Sequence, residues 1–287
     1  MNESAFAERD AMAPGLTTSM LVLGNGQRRL SPYPRAKVVF TFNGEVPPEG
    51  QEFPIAVTTK ARSTGSEPRV ILGTSSESLE GWIRRLSVRV NAACHVQQSA
   101  LGSVPSSGFA IAHALWTEPG SVCIDGMLFD PSLSRPRELH PRKPLPQMFH
   151  NWLGERRLSL YRWLESPREG WCWPLIEGDS DRAMPTNVID HVELQEALRE
   201  AQRSGSLGRI EQFAKRCIKP SMDLLKPSAV VRALESCFHL DRAHSDTLNW
   251  WLYEASASAC IESLAGRLRL AQHQAFSLAT REPGVLG

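Results

Sequence analysis

Apolar residues come first along the chain in short unbroken runs and later at helical spacing. Met20-Leu21-Val22-Leu23 runs into Gly24-Asn25-Gly26, and Lys37-Val38-Val39-Phe40-Thr41-Phe42 stops at Asn43-Gly44. Continuous apolar runs bounded by turn residues predict strands of a parallel sheet, buried on both faces. Ile55 to Thr58, Arg69 to Leu72, Cys94 to Gln97 and Ser121 to Asp125 extend the series. Between them, Glu77 to Val90 places Leu79, Trp82, Ile83 and Leu86 on one helical face, and Ser107 to Trp116 is apolar on most sides. Strands alternating with helices predict an α/β fold, Rossmann-like, with a mostly parallel sheet and helices on both faces.

Residues 1–18 show no periodicity and read as a loose leader, so residues 19–185 form the α/β domain. From Pro131 to Pro146 the chain is dense in proline and basic residues, which reads equally as a functional flap or a plain surface excursion. Past Pro185 the spacing becomes helical. Asp190 with Glu193 suggests a capping box for a helix through Gln202; Leu207 to Ile218, Ser228 to Leu240 and Asp246 to about Leu278 follow. Residues 186–287 therefore read as a helical subdomain.

Composition narrows the class. Lys plus Arg number 32 against 31 for Asp plus Glu, giving no general electrostatic reason for a nucleic-acid partner. The six cysteines form neither a Cys-x-x-Cys pair nor a zinc-type set, and no apolar run reaches the length of a membrane span. With no secretory signal at the start, the expected address is the cytoplasm.

The chemistry-bearing candidates sit where predicted strands end. Gly24-Asn25-Gly26, placed at a helix N-terminus, would offer backbone amides to a phosphate; the other reading is turn glycines alone. A dinucleotide site is disfavoured, because Arg29 replaces the third glycine of the fingerprint and Asn43 stands where a carboxylate is usual. Ser107-Gly108 opens the apolar helix, and Gly126-Met127-Leu128-Phe129 follows a later strand. Ligands bind at the carboxyl ends of strands in open α/β sheets, so these turns predict one shared crevice. Ser106 as a mere helix cap and Phe129 as a mere core ring stay open.

This order of motifs, with His150 downstream, resembles the bacterial lipooligosaccharide sialyltransferases of glycosyltransferase family 42 over about Leu21 to Leu164. The resemblance implies an inverting transferase that uses CMP-sialic acid or a related donor, needs no metal, and forms homo-oligomers. It also implies that Gly24, Asn25, Gly26 and Asn43 contact the nucleotide phosphate and sugar, that Ser107 and Gly108 lie under the donor, and that Gly126 to Phe129 line the cytosine. His150 corresponds to the general base that takes the acceptor proton, with His140 in reserve. An imidazole titrating near ~6.5 suits that task at cellular pH.

Two departures stand out. Val104 occupies a position where the family carries arginine, and Asp130 stands where it supplies tyrosines to the departing phosphate. At least one of the nearby Arg135, Arg137, Arg142 and Lys143 is expected to take over that role. A protein that binds a nucleotide or a partner without catalysis is the alternative on the same fold. Trp152, Trp163, Trp171 and Trp173 suit either sugar stacking or core packing. The last helix, with Arg267 and Arg269 beside Leu264, Leu268 and Leu270, suits either its own protein or the surface of an anionic membrane.

Overall fold

The computed structural model describes residues 19–30, 32–49, 51–60, 69–177, 187–240 and 249–281. The leader over residues 1–18, the start of the last helix at Asp246 and the change of pattern at Pro185 lie outside them.

Five strands run parallel and one antiparallel. β1 (Ser19–Leu23), β2 (Val38–Phe42), β3 (Phe53–Thr59), β4 (Val70–Gly73), β5 (Ser121–Asp125) and β6 (Trp171–Cys172) form one sheet in the order β4-β3-β2-β1-β5-β6, with β4 the antiparallel edge strand. The register pairs Leu23 with Thr41 on one side and with Asp125 on the other. The carboxyl ends of β1, β2 and β5 therefore lie along one edge. All of β2 and nearly all of β1 is buried, as the unbroken apolar runs require, whereas β4 alternates buried and exposed.

α1 (Glu80–Leu101) and α2 (Ser107–Leu115) enter before β5, and α3 (Trp152–Glu165) after it. Two expectations fail here. Cys94 to Gln97 is part of α1, because Ile83, Leu86, Val90, Cys94 and Leu101 recur at helical spacing on its buried face. Nor do the described residues put helices on both faces. The described residues linking β1 to β2 and β2 to β3 carry no helix. Leu21, Leu23, Val39 and Cys123 on the second face instead pack with Leu30, Tyr33 and Ala36 of the loop after β1, while α1, α2 and α3 cover the first face.

A short helix α4 (Pro174–Glu177) follows β6. The helical part then holds β7 (Val188–Ile189), α5 (His191–Ser204), α6 (Gly208–Phe213), β8 (Cys217–Ile218), α7 (Ala229–Glu235) and α8 (Ala255–Arg281). Asp190 caps α5 by accepting from the Val192 N–H. The helix expected from Leu207 to Ile218 ends at Phe213, since Cys217 and Ile218 pair with β7 in a parallel two-stranded sheet. Tertiary pairing there overrides helical spacing.

α8 joins the two cores. Ile261, Leu264, Ala265 and Leu268 belong to the helical core, and Ala275 and Phe276 to the core under the sheet. The apolar face weighed for a membrane surface is thus buried within the protein. No described helix is long and apolar enough to cross a membrane.

Candidate functional site

The tips of β1 and β5 are locked backbone to backbone. The Gly24 N–H donates to the Asp125 carbonyl at 2.7 Å and the Gly26 N–H to the Gly126 carbonyl at 2.9 Å. A Cβ on Gly24 would lie 2.4 Å from the Gly126 oxygen, so close approach is what these glycines permit. The described residues between Gly26 and β2 form no helix, which corrects the expected helix N-terminus. The amides that do converge are already served by the buried Asp125 carboxylate, which accepts from Gly126 (2.8 Å), Arg29 (2.9 Å) and Leu30 (3.1 Å). Tyr33 shares that carboxylate, and burial raises its phenol pKa.

Beside this tip, Asn43 and Gly44 turn the chain after β2 with φ of 55° and 77°. Arg28 reaches across to Glu45 at 2.5 Å and holds the two loops together. Asn25 and Asn43 are both exposed along this edge.

α2 meets the tips through one methionine. Met127 lies 3.0 Å from where a Gly108 Cβ would sit and also fills the space beside Gly24. Ser106 caps α2, accepting from the Phe109 N–H at 3.2 Å, and Ser107 begins the helix half-buried. Phe129, at φ 50°, is only 4% exposed and packs against Phe109, Trp152 and Trp173. Its ring belongs to the core, the packing alternative, and offers almost no surface for the cytosine-lining role that the resemblance implies. Trp173 fixes the same segment by donating to the Met127 carbonyl at 2.9 Å.

His150 lies just beyond the N-terminus of α2. Its Nδ1 is 3.1 Å from the Val104 carbonyl, and its ring meets Trp152 edge-on at 5.1 Å. A carbonyl only accepts, so the neutral ring carries its proton on Nδ1 and keeps the lone pair on Nε2. His150 lines a cavity of about 10 Å³ with Pro131, Trp152, His239 and Arg269. That is room for about one water, widening toward solvent.

The cations are distributed differently from expectation. Arg135 is buried, donating its backbone N–H to Ser258 Oγ at 2.9 Å and its guanidinium to the His140 carbonyl. Arg137, Arg142 and Lys143 are exposed on the proline-rich segment, which turns irregularly over the surface. His140 is exposed there as well. Arg156 and Arg269 lie against the segment just past the β5 tip: Arg156 donates to the Leu128 carbonyl at 2.9 Å and Arg269 pairs with Asp130 at 2.5 Å. Among the described residues no group of three His, Cys, Asp or Glu side chains is arranged to hold a metal.

Glu155, one turn into α3, is fully buried, and its carboxylate accepts from the Ser106 N–H and Oγ, both at 2.6 Å. Burial raises its pKa from 4.5 to about 7 against the opposing Ser106 hydrogen bonds. Because the folded chain holds this proton more tightly than the unfolded one, the contribution to stability is complete below about pH 4.5. It is lost as the pH rises through about 7. Unfolding free energies across pH 5 to 7.5 are expected to fall with pH, by about 2–4 kcal/mol from this residue. Glu155→Gln should flatten that fall, and an unchanged slope would refute the assignment.

Asp125, Glu155 and Arg156 were not singled out by sequence, and Arg269 only as part of a mildly basic last helix. Asp125 carries a readable signal, a carboxylate closing an apolar strand before glycine. Glu155-Arg156-Arg157 has the composition of a solvated helix face, and nothing in its spacing marks it as buried. No family model matches the chain, and neither the curated proteins nor the solved structures searched contain a match.

Proposed function

We propose that this chain is an inverting glycosyltransferase of Rossmann-like, GT-A-variant type. It moves sialic acid or a related acidic sugar from a CMP donor to a glycan hydroxyl. The observation that carries the reading is the meeting of Gly24, Gly26, Gly108 and Gly126 at the carboxyl ends of β1 and β5, with His150 set beside Val104 ahead of α2 and linked to the same segment through Trp152 and Phe129. At those strand ends the chain order of the sheet reverses, since β2 and β3 lie to one side of β1 and β5 and β6 to the other. Such a switch point is where open α/β sheets bind nucleotides.

In this reading the exposed Asn25 and Asn43 meet the donor from the sheet edge, and Ser107 and Gly108 lie beneath it. His150 Nε2 takes the proton of the acceptor hydroxyl as its oxygen attacks the anomeric carbon, while the bond to phosphate breaks and its electron pair stays with CMP. The Val104 carbonyl keeps the ring in the tautomer that this step needs. No metal is invoked; arginines and ordinary hydrogen-bond donors meet the phosphate.

A second reading, nucleotide or partner binding without turnover, draws on the Arg29 and Leu30 amides being engaged by Asp125 and on the burial of Phe129. Incubating the protein with CMP-sialic acid and a glycan acceptor and following CMP release separates the two. The transferase reading expects release that His150→Ala abolishes while donor binding persists. Binding without release would select the second reading, and absence of both would remove the nucleotide site altogether.

A further inference from the structure

Three arginines from three separate elements approach one another beside the crevice. Arg156 comes from α3, Arg269 from α8, and Arg29 from the loop after β1. The segment Leu128 to Asp130, immediately past the β5 tip, runs among them: Leu128 accepts from Arg156 Nη1 and Asp130 pairs with Arg269. Arg156 Nε is sealed from solvent and has no hydrogen-bond partner among the described residues. Arg269 also borders the cavity that His150 lines, and of the three it is the one placed against the imidazole's space.

Like charges brought together and partly desolvated need a counter-charge. Among the described residues two carboxylates face the group. Glu262 stands near Arg269 but also accepts the Ser134 N–H at 3.0 Å, and Asp130 supplies the ion pair. Three guanidinium groups against these leave the surroundings of the Leu128 to Asp130 segment positive. Burial, then the proximity of Arg269 and Arg29, draws the Arg156 pKa down to about 10, as expected for a cation held without full compensation. The two paired side chains differ in freedom: Arg269 is 14% exposed and Asp130 47%. Asp130 is thus the partner able to swing away.

We infer that Arg156 and Arg269, with Arg29 at the outer edge, form the site for the donor's phosphate, and that Asp130 holds Arg269 until the phosphate displaces it. This rests on reading the crevice as a nucleotide-sugar site and supplies what that reading lacked, a partner for the leaving group. When the glycosidic bond breaks, its electron pair moves to a phosphate oxygen, and the added charge meets guanidinium forks already oriented by Leu128 and α8. Asp130, the departure from the resembled family's tyrosines, becomes a placeholder for the anion.

The test is calorimetric titration of the full chain with CMP, cytidine and inorganic phosphate. Arg269→Gln and Arg156→Gln are expected to weaken CMP about 10- to 100-fold, the usual cost of losing a charged hydrogen bond, and to leave cytidine unchanged. Arg156→Lys should rescue poorly, because an ammonium cannot reproduce the fork. Asp130→Asn should tighten both CMP and phosphate several-fold, a gain that misfolding cannot produce. CMP bound equally by the wild type, Arg269→Gln and Asp130→Asn would overturn the arginine site while leaving the nucleotide reading intact. Phosphate bound with the expected dependence, but no CMP, would support the anion site and overturn the nucleotide. A wild type that binds neither overturns both.

Discussion

Arg157→Met is expected to lower the unfolding free energy by about 3–5 kcal/mol, the scale for stripping one partner from a buried ion pair. Arg157 and Glu235 are both 0% exposed, with Nε to Oε1 at 2.6 Å and Nη2 to Oε2 at 3.1 Å. The substitution strands a buried carboxylate, whose remaining close donor among the described residues is Asn151 Nδ2 at 3.2 Å. Urea titration measures the effect, and a loss below about 1 kcal/mol would show that the pair is more solvated than its burial implies. The double change Arg157→Met with Glu235→Leu should recover most of the loss, since matched apolar replacements remove both charges together.

The consequence extends to the site. Asn151 spans the same network, donating to the Leu101 carbonyl at 2.8 Å and accepting from the Gly154 N–H at 2.9 Å to cap α3. Its neighbour is His150. The pair therefore ties the helical part of the chain to the residue proposed to move the proton, and ligand binding should weaken in Arg157→Met before global unfolding is seen.

Gly126→Ala carries the second large effect, an expected loss of about 2–4 kcal/mol. An added Cβ would lie 2.5 Å from the Gly24 oxygen and 3.1 Å from that of Gly26, with φ at +69°. Overpacking against fixed backbone costs about 1–3 kcal/mol and the left-handed conformation about 1 more. Gly44→Ala is the internal control: its φ is +77°, but nothing lies within 4 Å of an added Cβ. It should cost only about 1 kcal/mol and leave the β1–β5 tip intact. Equal losses for the two would mean that backbone strain alone, not contact between the tips, explains Gly126. CMP affinity should fall for Gly126→Ala and hold for Gly44→Ala.

Much of this protein was legible in its residues one stretch at a time. The unbroken apolar runs at Met20 and Val38 announced central strands, because only a strand covered on both faces tolerates such continuity. Ser106 before an apolar helix and Asp190 before an amphipathic one announced their caps, since a side-chain oxygen there meets unpaired amides within a few residues. Turn residues at Gly24, Asn43 and Gly126 announced where strands end. All of these are local interactions, settled within one or two turns of chain.

What the sequence left undecided depends on distant partners. Cys94 lies in an apolar run that fits a strand as well as a helix, and its spacing from Val90 and Leu101 became decisive only against a packed sheet. Cys217 and Ile218 joined β7 because a partner strand was at hand. Glu155, Arg156 and Arg157 have a charged composition that gives no sign of burial, and it is Ser106, Leu128 and Glu235, far away in the chain, that engage them. Local composition fixes what a residue tends to do alone. Burial, charge pairing and the approach of two strand tips belong to groups far apart in the chain, and only folding brings them within range.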